Sequence, residues 1–145
     1  MPKVKQLKLY IIDNSVILKT IIQEEGSELA RKLIVLKNKY EISILVPDIF
    51  RYEFFNKLIK GMDGEKAMEI FQELIERQVS ILPLENDLIE MANKLVIKYP
   101  KISFYDAAYH ALAKAYDAEL ITADEKYYAL TQKEGNIRLL RDLKV

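Results

Sequence analysis

Five short apolar runs punctuate this chain, and the first four stop at or near an acid or a proline. Lys8-Leu9-Tyr10-Ile11-Ile12 ends at Asp13. Ser43-Ile44-Leu45-Val46 ends at Pro47, and Val79-Ser80-Ile81-Leu82 ends at Pro83. Glu119-Leu120-Ile121-Thr122 ends just before Asp124, and Ile137-Arg138-Leu139-Leu140 is a weaker fifth. Near-continuous apolar runs of this length suit strands buried on both faces of a parallel sheet. Helical stretches lie between them. Ser27 to Lys39 carries Leu29, Leu33 and Leu36 at three- and four-residue steps. Asp48 to Lys60 opens on a capping residue and closes at Gly61. Glu65 to Arg77 carries Met68, Phe71 and Ile75 on one stripe, and Asn86 to Tyr99 carries Ile89, Ala92 and Val96 ahead of Pro100. Ser103 to Tyr116 is alanine-rich. Strands alternating with helices imply parallel crossovers. The expected fold class is α/β: a three-layer α/β/α sandwich around a mostly parallel sheet of four to five strands. With 145 residues and no repeat or linker, residues 1–145 read as one domain.

Composition excludes several kinds of chemistry. Lys+Arg and Asp+Glu balance at 22 each, which argues against a strongly basic nucleic-acid coat but allows a local basic rim. With no cysteine there is no disulfide and no thiolate metal site. A single histidine, His110, makes a histidine-built zinc site implausible. Met1-Pro2-Lys3 leads directly into the first strand-like run, with no visible signal peptide and no bilayer-length apolar stretch. The expectation is a cytoplasmic protein without a membrane partner.

The acids fall in a pattern. Ligand sites of open parallel sheets form at the carboxyl ends of strands. Asp13 directly follows the first strand, and Asp124 follows the fourth. Glu53 lies in the second turn of the helix leaving strand two. Asp106 lies in the first turn of the helix that feeds strand four. If all four helix and strand ends share an edge, four carboxylates converge on one crevice. Each acid also has a plainer reading. Asp13 could simply end a strand. Glu53 could pair on the surface with Lys57 at i,i+4. Asp106 could complete a capping box begun by Ser103, and Asp124 could cap the next helix. The common edge is what favours a site.

Clustered carboxylates cannot all stay ionised without cations. Oxygen-only ligation suits Mg²⁺ or Mn²⁺. Such ions would hold a phosphodiester, activate a water for in-line attack and stabilise the leaving oxygen. No serine–histidine–acid arrangement competes. His110, one helical turn after Asp106, reads as an ordinary helix-surface histidine, with a supporting role near the site as the alternative.

Several of these segments resemble the PIN domain, and within it the VapC-type toxin nucleases. Leu9 to Ser15 is similar to the family's opening strand with Asp-x-Ser/Thr. Val46-Pro47-Asp48 through Tyr52-Glu53 is similar to the helix of the second acid. Ser103 to Tyr109 with Ala111-Leu112-Ala113 is similar to the third motif, and Leu120 to Asp124 to the fourth. The likeness runs from about Leu9 to Leu139, in order. It implies a parallel α/β/α fold and Mg²⁺- or Mn²⁺-dependent hydrolysis of single-stranded RNA. Asp13 and Asp106 would be the principal metal ligands, Glu53 and Asp124 would complete the quartet, and Ser15 and Thr122 would be supporting polar groups. It also implies a homodimer and a cognate antitoxin protein. Phe54, Phe55, Leu58 and Ile59 could supply apolar surface for such partners, with core packing as the alternative for half of them. Lys19, Arg51, Lys57 and Lys126 lie near the motifs as possible RNA anchors, though solvated surface is the commoner role of a lysine.

Other readings are open. A haloacid-dehalogenase-type phosphohydrolase wants Asp-x-Asp after strand one, where this chain has Ser15. A receiver-type switch wants an acid directly after strand three, where this chain has Leu82-Pro83. A housekeeping PIN nuclease of RNA processing, or a PIN fold kept only as a binding module, complete the set.

Overall fold

The computed structural model describes residues 7–145, so the reading of Met1-Pro2-Lys3 lies outside the described residues. Five strands, β1 (Lys8–Ile12), β2 (Ile42–Pro47), β3 (Ser80–Leu82), β4 (Glu119–Thr122) and β5 (Ile137–Leu139), form one sheet in the order β3-β2-β1-β4-β5. Every pairing is parallel. The sheet is therefore fully parallel and five-stranded, as the apolar runs predict.

Among the described residues seven α-helices flank it: α1 (Asn14–Ile17), α2 (Ser27–Asn38), α3 (Ile49–Gly61), α4 (Gly64–Arg77), α5 (Asn86–Lys98), α6 (Phe104–Ala115) and α7 (Glu125–Thr131). From β1 the chain steps outward to β2 and β3, then returns past β1 to β4 and β5. Right-handed crossovers place α2 to α4 over one face and α5 to α7 over the other. The central strands are buried on both sides: Tyr10, Ile11 and Ile12 in β1, and Leu120, Ile121 and Thr122 in β4. None of the helices is long and apolar enough to cross a membrane among the described residues.

Local chemistry sets most helix starts. Asp63 caps α4 by accepting from Lys66 N at 3.0 Å, and Ser103 caps α6 by accepting from Asp106 N at 3.1 Å. Gly26, at φ +88°, turns the chain into α2 in a conformation that glycine adopts without strain. Asp48 departs from expectation. Its backbone angles are already helical rather than extended, so its side chain makes no cap, and its N–H donates to Leu82 O of β3 at 3.0 Å. The short α1 was not foreseen.

Two helices are also rotated relative to the expected stripes. In α5 the buried residues are Leu88, Ala92 and Leu95, while Ile89 is exposed. In α4 they are Ala67 and Leu74, with Phe71 and Ile75 half-buried and Met68 exposed. Phe54 and Leu58 of α3 are core residues, Phe55 is half-buried and Ile59 is exposed. Phe54 lies between Phe50 at 5.2 Å and Phe71 at 6.5 Å, ring centroid to centroid. This stack joins α3 to α4. Replacing fully buried Phe54 with alanine is expected to lower the unfolding free energy by about 3–5 kcal/mol in urea titration, through lost transfer energy and a residual cavity.

Candidate active site

The central pair β1 and β4 generates the site. Ile12 stands opposite Ile121, which brings Asp13 level with Thr122. On one side of this pair the strand order runs outward to β2 and β3, on the other to β5. The crevice beyond their carboxyl ends is a topological switch point, the usual ligand position of such sheets.

Asp13 is held on both oxygens. Ser15 Oγ donates to Oδ1 at 2.5 Å, and Thr122 Oγ1 donates to Oδ2 at 2.5 Å. Val16 N also donates to Oδ1 at 3.3 Å, so Asp13 caps α1. Each hydroxyl in turn accepts a backbone N–H from the loop after β4: Ser15 Oγ from Ala123 at 2.9 Å, and Thr122 Oγ1 from Asp124 at 3.1 Å. Ser15 and Thr122 thus tie Asp13 to the segment that carries Asp124.

Glu53 faces the same crevice from α3. Its Oε1 accepts from the hydroxyl of Tyr109 on α6 at 3.2 Å, and that hydroxyl accepts from Asn14 Nδ2 at 3.2 Å. No ion pair joins Glu53 to Lys57 among the described residues. Tyr109 is buried, and burial first, then the charges of Glu53 and Asp13, raise its hydroxyl far above the usual phenol range. It stays protonated and remains a donor. Asn14 is buried as well, and its Oδ1 has no hydrogen-bond partner.

Asp106 and Asp124 line a cleft of about 210 Å³ together with Lys101, Ile102, Ser103, Lys126, Tyr127 and Leu130. The first half of the capping box forms, since Ser103 accepts from Asp106 N. Asp124 does cap α7, accepting from Tyr127 N at 3.0 Å. One oxygen of Asp124 is used in this way.

The electrostatics bind the four acids into one group. Burial, with added repulsion from Asp106, pushes Asp13 up to about 6 despite the opposing Ser15 and Thr122 hydrogen bonds. Burial raises Glu53, with Asp106 and Asp13 adding to it while Tyr109 and Lys57 oppose. Burial raises Asp106 too, and Asp124 adds repulsion. The four predicted acids therefore share one edge: Asp106 acts on Asp13 and Glu53, and Asp124 acts on Asp106. Among the described residues no three of them already form a tight cage for an ion. Like charges in one desolvated crevice hold each other apart. The donor set still fits a hard divalent cation: carboxylate oxygens only, destabilised as anions, beside the orphaned amide oxygen of Asn14.

His110 is corrected by the structure. It is fully buried, not on the surface. Its Nδ1 lies 2.8 Å from Tyr127 Oη, and its Nε2 lies 2.8 Å from Gly135 O. The carbonyl can only accept, so Nε2 carries the proton and donates, and Nδ1 accepts from the tyrosine. Burial lowers the imidazole pKa and keeps it neutral. His110 thereby fastens α7, the helix capped by Asp124, onto α6. Asn14 and Tyr109 were likewise not singled out from sequence. Tyr109 follows Asp106 by three residues, so it shares that helix face, which is the signal that could have found it. Of the four possible cationic anchors, Lys19 pairs with Glu24 at 3.2 Å and Arg51 lies over the Tyr52 ring.

Comparison with known proteins agrees with this architecture. The PIN domain matches residues 10–133, and the chain belongs to that family. No curated protein sequence matches it. Among solved structures, VapBC2 from Rickettsia felis bound to a promoter DNA fragment is similar, with a TM-score of 0.69 at 16% identity over 90% of this chain and 96% of that one. VapBC-1 from nontypeable Haemophilus influenzae gives 0.69 at 16% identity over 92% and 99%. VapC20 of Mycobacterium tuberculosis, a toxin that cleaves the sarcin-ricin loop, gives 0.67 at 15% identity over 83% and 93%. At these identities the likeness is one of fold.

Two outcomes follow. Because the Asp13 pKa is raised on folding, its ionisation opposes the folded state: the associated stability is present below pH about 4 and lost as pH rises through about 6. In chelator, Asp13→Asn is expected to raise Tm at pH 7–8, with the gain over the unsubstituted protein fading toward pH 4 in thermal melts. Tyr109→Phe leaves Glu53 Oε1 without its donor and Asn14 Nδ2 without its acceptor. It is expected to cost about 1–3 kcal/mol of unfolding free energy, measured at neutral pH.

Proposed function

We propose that this protein is a Mg²⁺- or Mn²⁺-dependent endoribonuclease that hydrolyses phosphodiester bonds of single-stranded RNA through Asp13, Glu53, Asp106 and Asp124. In this reading it is the toxin of a VapBC-type pair, a homodimer inhibited by a cognate antitoxin protein. One observation carries the catalytic part: four carboxylates from separate segments meet at the switch point of a PIN fold, and burial and mutual repulsion raise three of them. Such a group lacks positive charge, and a divalent cation of small radius supplies it. When bound, the cation supplies charge neutralisation, an acidified water and stabilisation of the leaving oxygen.

The chain's own residues prepare that chemistry. Asp13 and Asp106 would be its principal ligands, with Glu53 and Asp124 completing the set. Ser15 and Thr122 aim both oxygens of Asp13; Oδ1 accepts from Val16 N as well, so Oδ2 is the oxygen that keeps a lone pair for a ligand. Tyr109 cannot ionise near neutral pH, so it holds Glu53 without adding a charge. No cysteine or second histidine is present to act as a nucleophile–base pair. Water is the nucleophile, oriented by carboxylates. The toxin–antitoxin part of the reading is supported by similar structures that are VapBC complexes. An apolar shelf on α3 and α4, with exposed Tyr52, Ile59 and Met68 beside Phe55, offers surface for a protein partner.

Purified protein is expected to cleave a labelled single-stranded RNA with added Mn²⁺ or Mg²⁺ and to lose this in EDTA. Asp13→Asn and Asp106→Asn are expected to reduce the rate by about a thousandfold or more, the scale of several kcal/mol of transition-state stabilisation, with an unchanged circular dichroism spectrum. Full cleavage in EDTA, or by either variant, would remove the basis of this mechanism.

A further inference from the structure

An acidic crevice repels the substrate assigned to it, so a strand needs cationic holds on either side of the carboxylates. The cleft whose inner wall carries Asp106 and Asp124 has such a side. Its buried lining is Ile102 and Tyr127, with half-buried Leu130, and its exposed cations are Lys101 and Lys126. Lys101 comes from the α5–α6 connection and Lys126 from the first turn of α7, so two separate segments bring them to one cleft. Neither makes an ion pair or a side-chain hydrogen bond among the described residues, although both stand beside carboxylates. The α3 flank carries an exposed cation of the same kind. Lys57 lies one turn beyond Glu53 on α3, unpaired, and its field lowers the pKa of both Glu53 and Asp106.

At about 210 Å³ the cleft is smaller than the roughly 300–1,000 Å³ typical of pockets that enclose a whole small molecule. It is open to hold part of a longer ligand. Its apolar lining suits a sugar or base face, and its two ammonium groups suit a phosphate.

We propose that this cleft is a nucleotide subsite flanking the cleavage centre, in which Lys101 and Lys126 hold a backbone phosphate of single-stranded RNA while Lys57 holds the strand on the far side of the acids. The subsite rests on the nuclease reading for its position next to the scissile bond. The lysines touch no reacting atom: they are binding residues, and their removal weakens association rather than chemistry. The strand crosses from α3, over the four carboxylates, to the α6–α7 side.

The test measures binding and cleavage separately. Binding of a short labelled single-stranded RNA is followed by fluorescence anisotropy in EDTA, where the RNA stays intact, across a salt series. Each phosphate contact to a single strand contributes about 0.7 to the slope of log affinity against log salt. Lys101→Gln with Lys126→Gln, which releases one phosphate, is therefore expected to flatten the slope by about 0.7, and Lys57→Gln by about 0.7, while the remote Lys39→Gln leaves it unchanged. In the cleavage assay with Mn²⁺, the double substitution is expected to raise KM by about tenfold, with the loss on KM rather than kcat. An unaltered slope and KM in the double variant would overturn the subsite even if the protein cleaves RNA. A lysine-dependent slope in a protein that never cleaves would retain the binding surface and overturn the nuclease reading.

Discussion

Asp13 ends β1 with a carboxylate in a place where water cannot fully solvate it, and two hydroxyls take water's role. One comes from the adjacent turn and the other from Thr122 on the neighbouring strand. Hydrogen bonds to a charged group are worth about 1.5–3 kcal/mol each, yet burial still wins and the acid's pKa is raised. The parallel pairing of β1 and β4 is what makes the contact possible, since a one-residue slip would turn Thr122 to the other face of the sheet. From that pairing follow the start of α1, capped by Asp13, and the path of the loop that delivers Asp124.

Helix α6 is the second organiser. Ala107, Ala108, Ala111 and Ala113 are fully buried, and such small side chains let the helix lie close against β1, β2 and β4. Three functional-looking side chains rise from it at i, i+3 and i+4. Asp106 enters the crevice, Tyr109 reaches Glu53 and Asn14, and His110 reaches Tyr127 and Gly135. The loop after α7 is further secured by Glu134, held down to about 2 by Lys114, Lys98 and the Tyr99 hydroxyl. One helix thus connects the elements that bear all four acids.

Much of this was readable in advance. The first four strands were legible because each apolar run meets an acid or a proline within a residue or two, so their ends fall within a residue or so of expectation. The shared edge of the acids was legible from topology. Asp106 was the hardest to place, with two helices between β3 and β4. The structure resolves it simply: α6 ends three residues before β4 begins, so its start must lie at the carboxyl edge. What stayed hidden has physical causes. A four-residue helix such as α1 shows no periodicity. In α5, Leu88 with Leu95 and Ile89 with Val96 both satisfy a seven-residue step, and the pattern alone does not say which pair faces inward. In α6 every residue from Ala107 to Ala113 is buried, so no polar face exists to mark where His110 points.

Nearly the whole chain is needed to complete one carboxylate's surroundings. Thr122 lies 109 positions beyond Asp13, and its hydroxyl supplies the hydrogen bond to Asp13 Oδ2. During synthesis the first acid emerges early and the closing strand late. A nascent chain whose β4 has not left the exit tunnel holds Asp13 without that bond and without Asp124 beside it. The crevice is therefore assembled last, when the segment bearing Thr122 and Asp124 pairs beside β1.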